Sequence, residues 1–303
     1  MRRGHIALDS LPGGFDLQST VESGQSYLWH REDGTAYERD DAHGGEAWYW
    51  TTVRAGGAPA VVRVRQTDGR LEWESSIDAV SHLRRRLRLD DDLPEIRAAA
   101  PDEPVVQRAY DRYEGMRLVR DPPFATLVSF ICSAQMRVAR IHGMQTALRE
   151  RYGRRVDFDG RTYHAYPTPD RLATAGEAAL RDLGLGYRAP YVAESARMVA
   201  EGVAHPEDAA ALSYEAARDA LTEFVGVGQK VADCVLLFSL GFLEAVPLDT
   251  WIRTTIAEYF PDCDRGSYAE TSRAIREALG GEYAGYAQTY VFHYLRNGHD
   301  PAG

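Results

Sequence analysis

The apolar positions in the first quarter of the chain recur with a period of two. Val62 and Val64 alternate with Arg63 and Arg65; beyond Asp68-Gly69, Leu71 and Trp73 alternate with Glu72 and Glu74. That period belongs to a strand with one buried face. Asp-Gly between two such runs predicts a tight hairpin, because both residues tolerate the positive φ the turn needs. The hairpin should present one apolar face and one arginine/glutamate face. Trp48-Tyr49-Trp50 and the segment around Tyr27-Leu28-Trp29 add aromatic stretches of high strand propensity. Ile77 to Leu89 then reads as a helix running into Asp90-Asp91-Asp92, with Arg84-Arg85-Arg86 as a solvated face.

From about residue 105 the spacing of apolar residues changes to three and four. Phe124 to Ile131, Val138 to Arg151, Glu177 to Leu183 and Ala189 to Ala200 predict helices, with Gly153, Gly184 and Gly186 at helix ends. The prediction is an α+β chain: an N-terminal twisted antiparallel β-sheet domain over 1–112, then an all-α bundle over 113–303.

Within the bundle, 213–241 has a particular shape. Ser213 is placed to cap a helix with Ala217, Ala220, Leu221, Phe224 and Val225 on its apolar face. Gly226-Val227-Gly228 breaks it, a second helix carries Val231, Cys234, Val235 and Phe238, and Gly241 ends that one. Two short helices joined by Gly-Val-Gly predict a helix-hairpin-helix. Its glycines permit close backbone approach, and its second helix offers free N-terminal amides to a phosphate. Val246-Pro247-Leu248-Asp249 precedes a further helix, Thr250 to Phe260, with Asp249 at the N-cap.

Composition changes this picture in two places. Acidic residues number 45 against 35 basic ones, a formal net charge of -10, and every basic residue except Lys230 is arginine. A nucleic-acid enzyme is ordinarily basic. Binding would then have to rest on local arginines and backbone amides. A salt-rich (halophilic) cytoplasm, in which bulk repulsion is screened, and a codon bias towards arginine both account for the lysine loss, and both stay open. The three cysteines, Cys132, Cys234 and Cys263, are far apart and lack metal-ligand spacing, so neither a disulfide scaffold nor a zinc site is expected. No apolar run suggests a membrane span or a signal segment. A cytoplasmic monomer is the expectation.

Gly226-Val227-Gly228-Gln229-Lys230-Val231-Ala232-Asp233-Cys234, followed by Ala245-Val246-Pro247-Leu248-Asp249, resembles the helix-hairpin-helix/Gly-Pro-Asp superfamily of DNA glycosylases. More narrowly, it is similar to 8-oxoguanine DNA glycosylase/AP lyases of the eukaryotic-type family. The likeness extends through Ser129-Phe130-Ile131-Cys132-Ser133, Ala139-Arg140-Ile141, Tyr163-His164 with Tyr166-Pro167, Leu183-Gly184-Leu185-Gly186-Tyr187-Arg188 and Tyr283 to Gln288, and includes Ser23-Gly24-Gln25-Ser26 near the start.

The resemblance implies base excision repair on duplex DNA containing 8-oxoguanine. Lys230 matches the nucleophile that attacks C1′ of the sugar and forms a Schiff base; arginine could not, because it keeps its proton. Asp249 matches the carboxylate that stabilises the sugar cation. Gly24, Cys234, Gln288 and Phe292 match the base pocket, the carbonyl of Gly24 accepting the N7 hydrogen that 8-oxoguanine has and guanine lacks. Tyr187 matches an aromatic wedge, and Arg140 and Arg188 the arginines that read the orphaned cytosine. Gly226, Gly228 and Gln229 belong to the DNA-binding hairpin, whose carbonyls would hold a structural monovalent cation; no redox cofactor or catalytic metal is implied. Two departures stand out. The family's asparagine run is replaced by Ala134-Gln135-Met136-Arg137, leaving Gln135 as the substitute gap-filler. Trp251 occupies the place of a phosphate-contacting histidine, and brings no charge.

Two other readings use the same fold. A monofunctional alkylated-base glycosylase would use Asp249 and water without needing Lys230. A non-catalytic helix-hairpin-helix module would need neither. Lysine, aspartate and the Gln288/Phe292 pair together argue against both.

Overall fold

The computed structural model describes residues 1–38 and 43–298. Five strands form one antiparallel sheet: β1 (Arg2–Ala7), β2 (His30–Arg31), β3 (Trp48–Ala55), β4 (Ala58–Thr67) and β5 (Arg70–Ser75), in the spatial order β1-β5-β4-β3-β2. The Asp68-Gly69 hairpin forms with Thr67 opposite Arg70, as the alternation predicts, but only Gly69 takes a positive φ. A second two-residue turn, Gly56-Gly57, closes β3 onto β4; both glycines have positive φ, which the twist of a tight hairpin demands.

The register places Arg63 opposite Glu74 and Arg65 opposite Glu72, and both pairs are bridged. This arginine/glutamate face is not open to water along its length. Val61 lies on it, fully buried with Phe158 and Tyr163 from a small hairpin, β6 (Arg155–Phe158) and β7 (Arg161–His164). The Tyr27-Leu28-Trp29 stretch is not a strand. It enters the interior as irregular chain, and pairing begins only at His30.

The opposite face of the sheet packs on α1 (Leu17–Glu22) and α2 (Val80–Arg86) around Leu17, Val21, Trp29, Tyr49, Val64, Leu71 and Leu83. The helix expected over Ile77 to Leu89 is therefore shorter at both ends. The arginine run at its end is split. Arg86 is buried, donates to Asp121 and to Thr51 Oγ1, and lies over the Trp29 ring, whereas Arg84 pairs with exposed Asp90. A solvated face was the wrong expectation for Arg86, because α2 turns it towards a buried carboxylate.

The helical core contains Leu93 and Ile96 of α3 (Leu93–Ala99) and Val105 to Tyr110 of α4 (Pro104–Arg112), and continues through α5 (Pro123–Ile131) and α6 (Val138–Tyr152). α7 (Pro169–Leu180) begins earlier than the apolar spacing suggests and bends at Gly176, where φ is +71°. After a π-helical turn over Arg181–Leu185 come α8 (Ala189–Ala200), α9 (Tyr214–Leu221), α10 (Gln229–Val235), α11 (Thr250–Tyr259), α12 (Tyr268–Ala278) and α13 (Ala284–Arg296). Arg117 joins the two cores: fully buried, it donates to the carbonyls of Pro12, Gly14, Arg88 and Asp91. Among the described residues no helix is long and apolar enough to cross a membrane.

Candidate active site

The hairpin between α9 and α10 forms as Gly-Val-Gly predicts. Gly226 has φ +82°, and a Cβ there would lie 2.5 Å from the Tyr191 ring. Only glycine meets both conditions. Two details differ from expectation. Ser213 stands at the N-cap of α9, but its side chain makes no capping bond. Val225 points to solvent, because the chain has already turned after Phe224.

Lys230 lies in the first turn of α10. Its Nζ donates to Ser133 Oγ at 3.1 Å and sits 5.5 Å from the centre of the Phe130 ring. Ser133 is itself fixed, donating to the Phe130 carbonyl at 2.7 Å. The amine makes no ion pair among the described residues. Asp249 caps α11 as its position predicts, Oδ1 accepting from Ile252 N at 2.9 Å. Burial raises the pKa of its carboxyl, an effect only partly offset by the Ile252 N–H, the Lys230 charge and the Trp251 N–H. Capping alone therefore does not hold it as firmly ionised as a solvated cap.

Lys230 and Asp249 face a cleft of about 960 Å³ that Gly24, Cys234, Gln288 and Phe292 also line. Gln288 and Phe292 are one turn apart on α13. Gln288 is 4% exposed and its Oε1 has no hydrogen-bond partner among the described residues. Such a buried acceptor is costly unless something fills it. Gly24 has φ +93°, and a Cβ there would come within 2.8 Å of Arg296 Nη1 and 3.4 Å of Phe292. Cys234 is a buried thiol, pushed up to about 12 by desolvation, hence a neutral wall rather than a nucleophile.

The remaining candidates are distributed around this cleft. Gln135, Gly226, Gly228 and Trp251 line it. Gln135 holds a left-handed backbone, φ +53°, and Trp251 is 46% exposed at the rim. Gln229, Arg140, Tyr187 and Arg188 are not lining residues. Arg140 is exposed on α6, and Tyr187 is exposed, its hydroxyl 3.5 Å from the Ala134 carbonyl. Arg188 is buried and, among the described residues, makes no ion pair: it lies over the Tyr187 ring and donates to that same carbonyl. It thereby ties the Tyr187 corner to the loop that carries Gln135.

Sequence reasoning missed four residues of the site, two that support it and two that line it. Arg296 donates to the carbonyls of Ser23 at 2.8 Å and Glu22 at 3.0 Å, holding the backbone on which Gly24 sits. Its spacing of four from Phe292 on the same helix was the available signal. Gln25 binds the carbonyls of Thr20 and Arg117 and accepts from Val119 N, all at 2.8 Å. Arg137 and Arg253 line the cleft, exposed and without an ion pair among the described residues.

A helix-hairpin-helix carrying a cleft-facing lysine, with a capped aspartate 19 residues later, defines a base-excision glycosylase fold. The profile of the HhH-GPD superfamily of base excision DNA repair proteins matches residues 128–280, and that of the 8-oxoguanine DNA glycosylase N-terminal domain matches residues 8–127. The chain belongs to this family. It is 30% identical to the probable N-glycosylase/DNA lyase of Methanothermobacter thermautotrophicus, over 94% of each chain. It is 32% identical to the N-glycosylase/DNA lyase of Saccharomyces cerevisiae, over 78% of this chain and 66% of that one. Among solved structures it is similar to the Clostridium acetobutylicum 8-oxoguanine glycosylase/lyase in complex with double-stranded DNA containing cytosine opposite 8-oxoguanine. That match has a TM-score of 0.79 and 28% identity, over 93% of this chain and 92% of that one.

Proposed function

We infer that the chain is a bifunctional glycosylase/AP lyase that removes 8-oxoguanine from duplex DNA. The observation that carries the reading is the convergence of an amine, a carboxylate and an unfilled amide acceptor on one cleft: Lys230, Asp249 and Gln288.

The lesion must leave the stack to reach such a site. Gln288 meets the pairing edge of the base, Phe292 supplies a stacking face, and Cys234 closes the far side. The Gly24 carbonyl accepts the N7 hydrogen. Lys230 Nζ forms a bond to C1′ as the bond from C1′ to the base breaks, and the base departs with the electron pair and takes up a proton. Asp249 stabilises the positive charge on the sugar while it lasts. The sugar ring opens to a Schiff base on Nζ, loss of a proton from C2′ expels the 3′ phosphate, and water later frees the enzyme. Tyr187 and Gln135 fill the gap left in the duplex.

None of these steps draws on a metal or a redox cofactor, and the described residues contain no cluster of His, Cys, Asp or Glu suited to a metal ion. The hairpin offers carbonyl oxygens, the neutral hard donors a monovalent cation takes. A cytoplasmic monomer acting at the chromosome, with the sheet domain as 1–112 and the catalytic bundle as 113–303, completes the reading.

Borohydride trapping tests it. With an 8-oxoguanine duplex, a covalent adduct should form and map to Lys230, the only lysine in the chain. The absence of any adduct would sink the lyase assignment. Cleavage of duplexes holding 8-oxoguanine opposite each of the four bases, at low and molar salt, measures what the Gln135-Met136 segment does to opposite-base choice. Steep loss of activity at molar salt would rule out the salt-adapted reading of the composition.

A further inference from the structure

One buried carboxylate has no place in the steps above. Asp233 is fully buried on α10, three residues beyond Lys230. Its two oxygens are held separately: Oδ1 accepts from the Tyr214 hydroxyl and Oδ2 from the Tyr268 hydroxyl, each at 2.7 Å. The Tyr268 oxygen in turn accepts from the backbone N–H of Leu248 at 3.2 Å. Leu248 immediately precedes Asp249. The next amide, that of Asp249, donates to the Pro247 carbonyl at 2.9 Å.

We propose that Asp233 and Tyr268 form a strut fixing the aspartate-bearing turn against the lysine-bearing helix, which makes Tyr268 a positioning residue for excision. Two hydrogen bonds connect the element carrying the nucleophile to the one carrying the carboxylate. A buried carboxylate is an expensive way to join two helices where apolar packing would serve. It does something packing cannot: it orients one phenol so that the oxygen is left free to receive a specified amide. Tyr214 is the internal comparison. It binds the same carboxylate, and its oxygen lies 3.3 Å from Ser272 Oγ and, among the described residues, makes no bond to the 247–249 turn. The strut rests on Lys230 and Asp249 being the reacting pair.

The test compares Tyr268→Phe with Tyr214→Phe, each losing one phenol on Asp233. Tyr268→Phe should lower the single-turnover rate of 8-oxoguanine excision on the order of tenfold, the scale of a small misplacement of reacting groups. Its affinity for a duplex with an uncleavable tetrahydrofuran abasic analogue should stay within about twofold of wild type, since ground-state binding is unchanged. Tyr214→Phe should lose a similar amount of thermal stability yet keep the wild-type rate. A wild-type rate in Tyr268→Phe, or an equal loss in Tyr214→Phe, overturns the strut. If Tyr268→Phe does not fold, Asp233→Asn, which weakens the hold on the phenol, takes its place, and a wild-type rate there overturns it. Failure of the wild type to cut 8-oxoguanine DNA would instead count against the proposed function. The strut is then read on a preformed abasic duplex, whose β-elimination also requires Lys230.

Discussion

The outer face of the sheet and the wall of the cleft treat charge in opposite ways. On the sheet, Arg63 is bonded to both Glu32 oxygens and to Glu74 and lies 4.9 Å from the centre of the Trp48 ring. Beneath it, Arg86 and Asp121 form a buried pair to which Ser26 also donates. Among the described residues of the cleft, Lys230 donates to a neutral side chain, Gln288 Oε1 has no partner, and Arg137 and Arg253 make no ion pair. Matched charges hold the scaffold, while unmatched donors and acceptors are kept where a nucleotide can satisfy them. This also explains how a chain of net charge -10 binds a polyanion: much of the acid is neutralised locally, and the cleft is not acidic in the same way.

The largest test of that contrast is Lys230→Gln. It should abolish borohydride trapping and lower strand cleavage on the order of 10³-fold or more, as loss of a covalent nucleophile does, without lowering the melting temperature. A cleft residue whose loss unfolded the chain would blur the distinction. Arg86→Ala is the converse. It strands Asp121 as a buried unpaired carboxylate and should cost about 3 kcal/mol in denaturant unfolding, with unchanged excision per folded molecule. Gln288→Ala should slow excision of 8-oxoguanine roughly tenfold to a hundredfold, the cost of a lost polar readout. Cleavage of a preformed abasic site should be spared, and equal loss on both substrates would contradict its assignment to the base.

Smaller effects separate the two regions further. Arg137→Ala and Arg253→Ala should each reduce the slope of log affinity against log salt by about 0.9, the value of one lost phosphate contact; Arg65→Ala, on the sheet, should leave it unchanged. Since burial raises the Asp249 pKa, the acid limb of excision should lie above the ordinary carboxylate value of 3.8. Activity should be lost as pH falls through that limb, and Asp249→Asn should remove it. The smallest effect concerns Asp233, pushed up to about 6 by burial despite the Tyr268 and Tyr214 hydroxyls and the charges of Arg218 and Arg276. A carboxyl that holds its proton more tightly when folded stabilises the fold as pH falls from above 6 towards 4. Replacing it by asparagine should remove that gain, a shift of a few degrees at most on the order expected for one such group.

Much of this was legible in the sequence because it is local. Strand alternation and an Asp-Gly pair fix a hairpin through two residues of backbone preference. Gly-Val-Gly and the N-cap position of Asp249 fix helix ends in the same way, and Lys230 was singled out by being alone. What lay beyond reach were pairings between positions far apart in the chain. Nothing in Arg84-Arg85-Arg86 says that the third faces Asp121, and nothing near Gly24 announces Arg296 from the last helix. Nothing in the order of residues ties Asp233 to Leu248 through Tyr268. Backbone propensity and spacing determined the elements, and the resemblance of 226–234 and 245–249 to the glycosylase family pointed to Lys230 and Asp249. Only tertiary packing decided which polar groups would be matched and buried and which left open to a substrate, because that depends on what each side chain meets across the fold.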